Sequence, residues 1–291
     1  MFDQVVFAGG GGRCTWQIGF WESVAGEVGL APRAVTAVSA GGLMASLILM
    51  GRTEEAREHF RSAFTANNKN AYWSNLFKKE SVFPQYGIYR NAMWELFRGG
   101  LDSLSTAAEL RIAVTHPPRF LSGGLALGIG ALAYYTDKHL LRSLHPKVAL
   151  RLGYQQNFYR AQDCVSVEEL AELILCSSCT PPFTPRLRLR GAAVLDGGVV
   201  DNIPVAGLDK APGRVLILLS RRYPRYPDRF TRRQGEQLWT YVQPSLPPFI
   251  SVWDYTNPEL AQKTYELGCT DGREFLHKHV LEWEIFNEQF Q

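Results

Sequence analysis

The alternation of apolar runs with helical segments predicts an α/β fold built on a mainly parallel sheet covered on both faces. Three runs carry that prediction. Residues 4–8 (QVVFA) are short and apolar and end in a glycine loop at 9–12. Residues 34–38 (AVTAV) form a second such run, followed at once by a segment of helical character. Residues 214–220 (RVLILLS) read as a buried strand in the second half of the chain.

The elements follow in order. Residues 14–29 show helical spacing, with Trp16, Ile18, Phe20, Trp21 and Val24 distributed along them. The second strand leads into a helix reaching about Met50, and Thr53-Glu54-Glu55 opens another with a cap-like residue and early acids. Residues 69–109 read as helices with loops, and 110–116 (LRIAVTH) as a further strand. Ser166, with Glu168 and Glu169 behind it, opens a helix over 166–177. In PRLRLRGAAVLDGG, Arg186, Arg188 and Arg190 alternate with leucines, which predicts a half-buried strand or hairpin. No repeat or low-complexity linker breaks the chain, so one domain over 1–291 is expected. Its core motifs lie within 4–220, an inserted helical lid region spans 69–165, and a basic loop and helices fill 221–291.

Composition excludes several classes. At 291 residues, 46% hydrophobic and 20% charged, the chain is an ordinary globular protein and not a disordered one. A net charge of +3 is too small to imply a nucleic-acid partner, though it leaves room for a local basic face. Five irregularly spaced cysteines and an N-terminus without a secretion signal point to reduced thiols and a cytoplasmic setting.

Two stretches suggest contact with a membrane surface. Phe120–Thr136 carries no charge and sits at the lower length limit of a spanning helix, about 17 residues. Its four glycines weaken a helix, so it reads as a lid, a core helix or a membrane-touching segment. Residues 221–233 interleave six arginines with Tyr223, Tyr226 and Phe230, which fits either anionic headgroups or a solvated loop.

Three motifs carry chemistry. Ser39 lies in Ala37-Val38-Ser39-Ala40-Gly41, between a strand and a helix. A nucleophile on so sharp a turn needs small neighbours two residues away, and Gly41 meets that need while Ala37 adds one methyl to the usual glycine. A serine that merely caps the helix is the plainer reading. Gly9, Gly10, Gly11 and Gly12, followed by Arg13, form a loop whose backbone N–H groups can approach a phosphate or an oxyanion. Neither nucleotide pattern is met, because no Gly-Lys-Ser/Thr follows and Cys14 stands where a third glycine would be. In VLDGGVVDNIPV, Asp196 ends an apolar run before Gly197 and Gly198, with Asp201 as a competing carboxylate and Asn202 and Pro204 shaping a turn.

Together these motifs resemble the patatin-like phospholipase family. The glycine loop with Arg13 and the later Gln17-Ile18-Gly19, the Ser39 elbow, and Asp196-Gly197-Gly198 running on to Asp201-Asn202 and Pro204 occur in the family's order. SSCTPPFTP at 177–185 resembles the segment that precedes the aspartate motif. Ala37 and Cys14 depart from the family's glycines. The resemblance implies a three-layer α/β/α patatin-like fold and a serine acyl hydrolase of lipid esters, of phospholipase A or lysophospholipase type. It also implies a Ser39–Asp196 dyad, an oxyanion hole from Gly9–Gly12, a supporting Arg13, and no metal or other cofactor. The rival is a catalytically silent or partner-activated protein that binds lipid or a membrane.

A serine–acid–histidine triad is the competing chemistry, with His277 or His279 as its third member. Both lie in REFLHKHVLEW, a terminal helix by its pattern, where surface histidines are ordinary. Cys176 and Cys179 form C-x-x-C without a second pair, which favours packed thiols over a zinc or redox site.

Overall fold

A computed structural model of the chain describes residues 2–77, 80–118, 128–130, 132 and 144–289, with backbone alone from 279 onward. Apart from 128–130 and 132, the uncharged run Phe120–Thr136 lies outside the described residues.

The strands are β1 (Gln4–Phe7), β2 (Ala34–Val38), β3 (Glu109–His116), β4 (Gln155–Arg160), a small hairpin β5 (Arg188–Leu189) and β6 (Ala192–Ala193), β7 (Leu195–Asp196), β8 (Gly213–Leu218), β9 (Arg229–Gln234) and β10 (Gln237–Val242). Eight of them form one sheet in the order β4-β3-β2-β1-β8-β10-β9, with β7 also paired to β3. The central run β3-β2-β1-β8-β10 is parallel, and β4, β7 and β9 join it antiparallel. The mainly parallel sheet expected from the alternating runs is therefore present.

Both faces are covered because side chains alternate along each strand. Val5 and Phe7 of β1 and Leu216 and Leu218 of β8 enter the larger core. Val6, Val215, Ile217 and Tyr241 enter a second core on the other face. The helices are α1 (Thr15–Val24), α2 (Ala40–Leu49), α3 (Thr53–Ala66), α4 (Gln85–Leu96), α5 (Leu101–Thr106), α6 (Val167–Ser177, capped by Ser166) and α7 (Pro258–Gln289). Helix α7 lies along α1, and the buried Trp16 indole donates to Asp271 Oδ2 across that contact at 2.7 Å. Among the described residues no helix is long and apolar enough to cross a membrane.

The part after residue 220 differs from the expected basic loop and helices. It contributes β10 to the parallel run, β9 to the sheet edge, and a single long helix. The half-buried aromatics of 221–233 pack against one another and against the sheet. Tyr226 stacks on Phe230 at 4.7 Å between ring centres, and Phe230 on the buried Tyr241 at 4.7 Å. Arg232 lies over both Tyr226 and Phe230, and Arg222 pairs with Asp228 at 2.8 Å. These arginines tile the edge of the sheet. Charge on an edge strand is what protects it from pairing with another chain.

The chain order reverses at β1, whose neighbours are β2 on one side and β8 on the other. A crevice beyond the carboxyl ends of the strands at such a switch point is where open α/β sheets bind ligands. The glycine loop leaves the end of β1 there, and Ser39 leaves the end of β2.

Candidate active site

Ser39 has φ 53° and ψ −134°, in the left-handed half of backbone space. A non-glycine residue there costs about 1–3 kcal/mol and persists only where its surroundings fix it. The fixing group is Ser177, whose Oγ accepts from the Ser39 N–H at 2.7 Å and donates to the Ala113 carbonyl at 2.7 Å. Gly41 lets α2 close onto β1, since a Cβ there would stand 2.5 Å from the Ala8 carbonyl oxygen. Ala37, the departure from the elbow pattern, is fully buried and its methyl joins the larger core.

Asp196 sits at the end of β7, opposite Val114 of β3, and its N–H donates to the Cys179 carbonyl at 2.7 Å. Its carboxylate accepts the Gly198 N–H at 2.7 Å, and the nearby Ser39 side chain also favours its charged form. Burial outweighs both and pushes the carboxyl from 3.8 up to about 6. Asp201 is committed elsewhere. Its Oδ2 lies 2.8 Å from His145 Nδ1 and its Oδ1 accepts the Ile203 N–H at 2.9 Å.

The four loop glycines divide into two pairs. The Gly9 N–H donates to the Asn202 carbonyl at 3.1 Å and the Gly12 N–H to the Val252 carbonyl at 3.2 Å. Those two donors are already engaged within the fold. No hydrogen bond among the described residues uses the N–H of Gly10 or Gly11, and both line the same pocket as Ser39 and Asp196. The loop is braced through its carbonyls. Gly9 accepts from Asn202 Nδ2 at 2.7 Å and from the Ser220 hydroxyl, while Arg13 Nε donates to Gly10 at 3.3 Å. Cys14 donates its thiol to the Ala8 carbonyl at 3.5 Å, and burial pushes that thiol up to about 12.

The pocket has a volume of about 300 Å³. Ser39, Asp196, Gly10, Gly11, Arg13 and Gly198 all line it, whereas Gly9, Gly12, Gly41 and Gly197 stand behind it as structural supports. Three walls escaped the sequence reading. Gln85, Tyr86 and Tyr89 come from α4, Ser178, Thr180 and Thr184 from the turn after α6, and Val252, Trp253 and Tyr255 from the segment before α7. The aspect is mostly apolar, with an adjoining apolar cavity of about 20 Å³ sharing Gly11, Ala40, Tyr89 and Tyr255.

No histidine occurs among the described lining residues, and His277 is exposed on α7. Among the described residues, then, no third member of a triad stands at Ser39. Cys176 and Cys179 are buried at the end of α6, and burial raises both thiols, Cys176 to about 12. Among the described residues no cluster of three histidine, cysteine or carboxylate side chains is placed to hold a metal.

A hydroxyl on a strained turn, a carboxylate of raised basicity and two unspent N–H groups share one apolar pocket. Such a set can deprotonate a nucleophile and receive an oxyanion without any further group.

The family model described as patatin-like phospholipase matches residues 5–209. Among solved structures, the crystal structure of VipD from Legionella pneumophila is similar at 11% identity, covering 96% of this chain and 67% of that one with a TM-score of 0.45. No curated protein matches.

Proposed function

The chain belongs to the patatin-like phospholipase family, and on that premise we propose that it is a serine acyl hydrolase of lipid carboxylic esters. Phospholipids or lysophospholipids are its substrates and Ser39 and Asp196 its catalytic dyad. The observation that carries this reading is the Asp196 carboxyl, which shares the pocket with Ser39 and is raised to about 6 by burial. An ordinary carboxylate is a weak base towards an alcohol. Desolvation brings this one nearer the working range of a general base.

In this mechanism Ser39 Oγ attacks the ester carbonyl while Asp196 takes the hydroxyl proton. The tetrahedral oxyanion is held by the N–H groups of Gly10 and Gly11, a donor of this kind contributing about 3–4 kcal/mol at the transition state. The C–O bond to the leaving alcohol then breaks and Asp196 returns the proton to that oxygen. Water, deprotonated by the same carboxylate, releases the acyl chain from Ser39 as a fatty acid. Arg13 supports the loop through its bond to the Gly10 carbonyl. The apolar walls suit an acyl chain, and the α4 wall supports reading 69–165 as cover for the pocket within a single domain. Peripheral contact with a membrane follows from the substrate.

Covalent labelling by a fluorophosphonate probe, read by intact mass, tests the proposal on the parent, Ser39→Ala and Asp196→Asn. Hydrolysis of a short-chain soluble ester is followed in parallel. The dyad requires that labelling and turnover vanish in Ser39→Ala and that turnover is lost in Asp196→Asn. A parent that neither labels nor turns over, even with liposomes present, would make the chain a lipid-binding or partner-activated protein instead.

A further inference from the structure

Apolar side chains on a protein surface are ordinary when scattered and informative when clustered. The turn Trp73–Phe77 carries such a cluster. Trp73 is 64% exposed, Leu76 63% and Phe77 92%, three large apolar side chains within five residues. The turn is a 3-10 helix, in which residues three apart share a face, so Trp73 and Leu76 are presented together.

The tip is held out on a closed neck. Tyr72 N–H donates to the Val82 carbonyl at 2.8 Å, Glu80 N–H to the Asn75 carbonyl at 3.2 Å, and Asn75 Nδ2 to the Ser81 carbonyl at 2.9 Å. An apolar tip on a pinned neck cannot fold its side chains back into the core.

The neck is tied to the pocket wall. Gln85 Nε2 donates both to the Asn70 carbonyl at 3.0 Å and to the Trp253 carbonyl at 3.1 Å, and Tyr255 N–H donates to Asn70 Oδ1 at 2.8 Å. A ladder of rings runs the same way. Trp73 meets Phe83 at 6.1 Å between centres, Phe83 meets Phe183 at 4.8 Å, and Phe183 stacks on Trp253 at 4.3 Å. Trp253 lines the pocket that holds Ser39. One continuous apolar path therefore leads from the exposed tip to the pocket.

We propose that the Trp73–Phe77 turn is a docking site for a phospholipid membrane surface, setting the pocket mouth against the lipid from which the acyl chain is drawn. This rests on the hydrolase reading for its substrate. The occupant follows from chemistry on both sides of the tip. Tryptophan, phenylalanine and leucine are the side chains that settle at the boundary between headgroups and acyl chains. Basic residues flank them, with Lys69 exposed before the turn and Lys78-Lys79 following Phe77 in the sequence, as an anionic leaflet would favour. A path of rings into the pocket serves a lipid, whose chain must cross from bilayer to pocket without meeting water. It has no use for a soluble partner.

The test is sedimentation with vesicles of phosphatidylcholine, alone and mixed with phosphatidylserine, of the parent and of a variant carrying Trp73→Ser, Leu76→Ser and Phe77→Ser together. Partitioning of the variant is expected to fall about 100-fold on both vesicle types. Hydrolysis of vesicle lipid should fall with it, while turnover of a soluble short-chain ester and fluorophosphonate labelling stay at parent levels. A second variant, Arg225→Glu with Arg233→Glu, should partition onto phosphatidylcholine as the parent does.

The inference is overturned if the triple variant partitions within about threefold of the parent, or if the parent does not partition at all. It is also overturned if the parent is an oligomer that the triple substitution dissociates without changing vesicle binding, because the tip then docks a second copy of the chain. A parent that binds vesicles through the tip yet never labels would sink the hydrolase reading and leave the docking site standing. A parent that labels but ignores vesicles would do the reverse.

Discussion

Replacing Asp196 by asparagine removes the proposed base and should at the same time make the protein more stable at neutral pH. The carboxyl stands at about 6 in the fold against an ordinary value of 3.8, with burial as the leading cause. Below pH 3.8 the group is protonated whether the chain is folded or not, and it costs nothing. Between 3.8 and about 6 the unfolded chain gives up the proton while the folded one keeps it, so stability falls as pH rises. Above about 6 both forms are ionised and the penalty is complete, at about 3 kcal/mol from the separation of the two values.

Asparagine never carries the charge, and its amide oxygen can still accept the Gly198 N–H that Asp196 accepts at 2.7 Å. The variant is therefore expected to unfold about 6 °C higher than the parent at pH 8, taking about 2 °C per kcal/mol for a chain of this size. That advantage should shrink through pH 6 and 5 and be gone near pH 4. Thermal and urea unfolding of both proteins across that range measures it. In the parent, kcat/KM for a soluble ester should fall about tenfold per pH unit below 6, because the ionised carboxylate is the working base. An asparagine variant no more stable than the parent at pH 8, or one whose advantage is the same at pH 4, would refute the claim that burial sets this group's basicity.

Three further substitutions probe the elbow. Ser177→Ala leaves the Ser39 N–H and the Ala113 carbonyl, both bonded at 2.7 Å, without partners in a buried place. A loss of about 2–4 kcal/mol in unfolding and a kcat reduced more than KM is changed are expected, and an unaltered kcat would show that Ser177 does not position the nucleophile. Gly41→Ala drives a Cβ to 2.5 Å from the Ala8 carbonyl oxygen and should cost more than about 3 kcal/mol or block folding. Ala37→Gly, which restores the family's residue, should cost only about 1 kcal/mol and keep full ester turnover, so equal damage from the two would disprove the steric account.

The parts of this molecule legible in sequence are those dictated locally. Buried parallel strands read as unbroken apolar runs, and β1, β2 and β8 were found that way. The Ser39 elbow and the Asp196 turn were legible because tight turns accept few residue types. What was missed depends on tertiary placement. Tyr86 and Tyr89 on α4 have the pattern of core residues, and only the packing of α4 beside the elbow turns them into a pocket wall. Val252, Trp253 and Tyr255 belong to a segment with no regular pattern at all. The edge strand Arg229–Gln234 read as a basic loop because its residues are those of a protected sheet edge. The division of the four glycines was illegible for a different reason, since the partners that use up Gly9 and Gly12 are the distant Asn202 and Val252 carbonyls.

One strand explains why Ser39 and Asp196, residues 157 positions apart in the chain, meet in one pocket, as the proposed dyad requires. Strand β3 carries β4 along one edge; on its other edge it pairs first with β2, placing Ala113 beside Val38, and just beyond with β7, placing Val114 opposite Asp196. Its Ala113 carbonyl also anchors Ser177, which holds the Ser39 backbone. Gly197 has no Cβ because one would overlap that same carbonyl. Ser39 and Asp196 are thus each referenced to adjacent residues of a buried strand, and neither depends on a free loop for its position. A fixed register of this kind keeps a costly arrangement in place: φ 53° at Ser39 and a carboxyl raised to about 6 at Asp196 both oppose folding locally. The β2–β3 register that carries both is itself well fixed, since a one-residue slip would turn the whole buried face of β3 towards the wrong side.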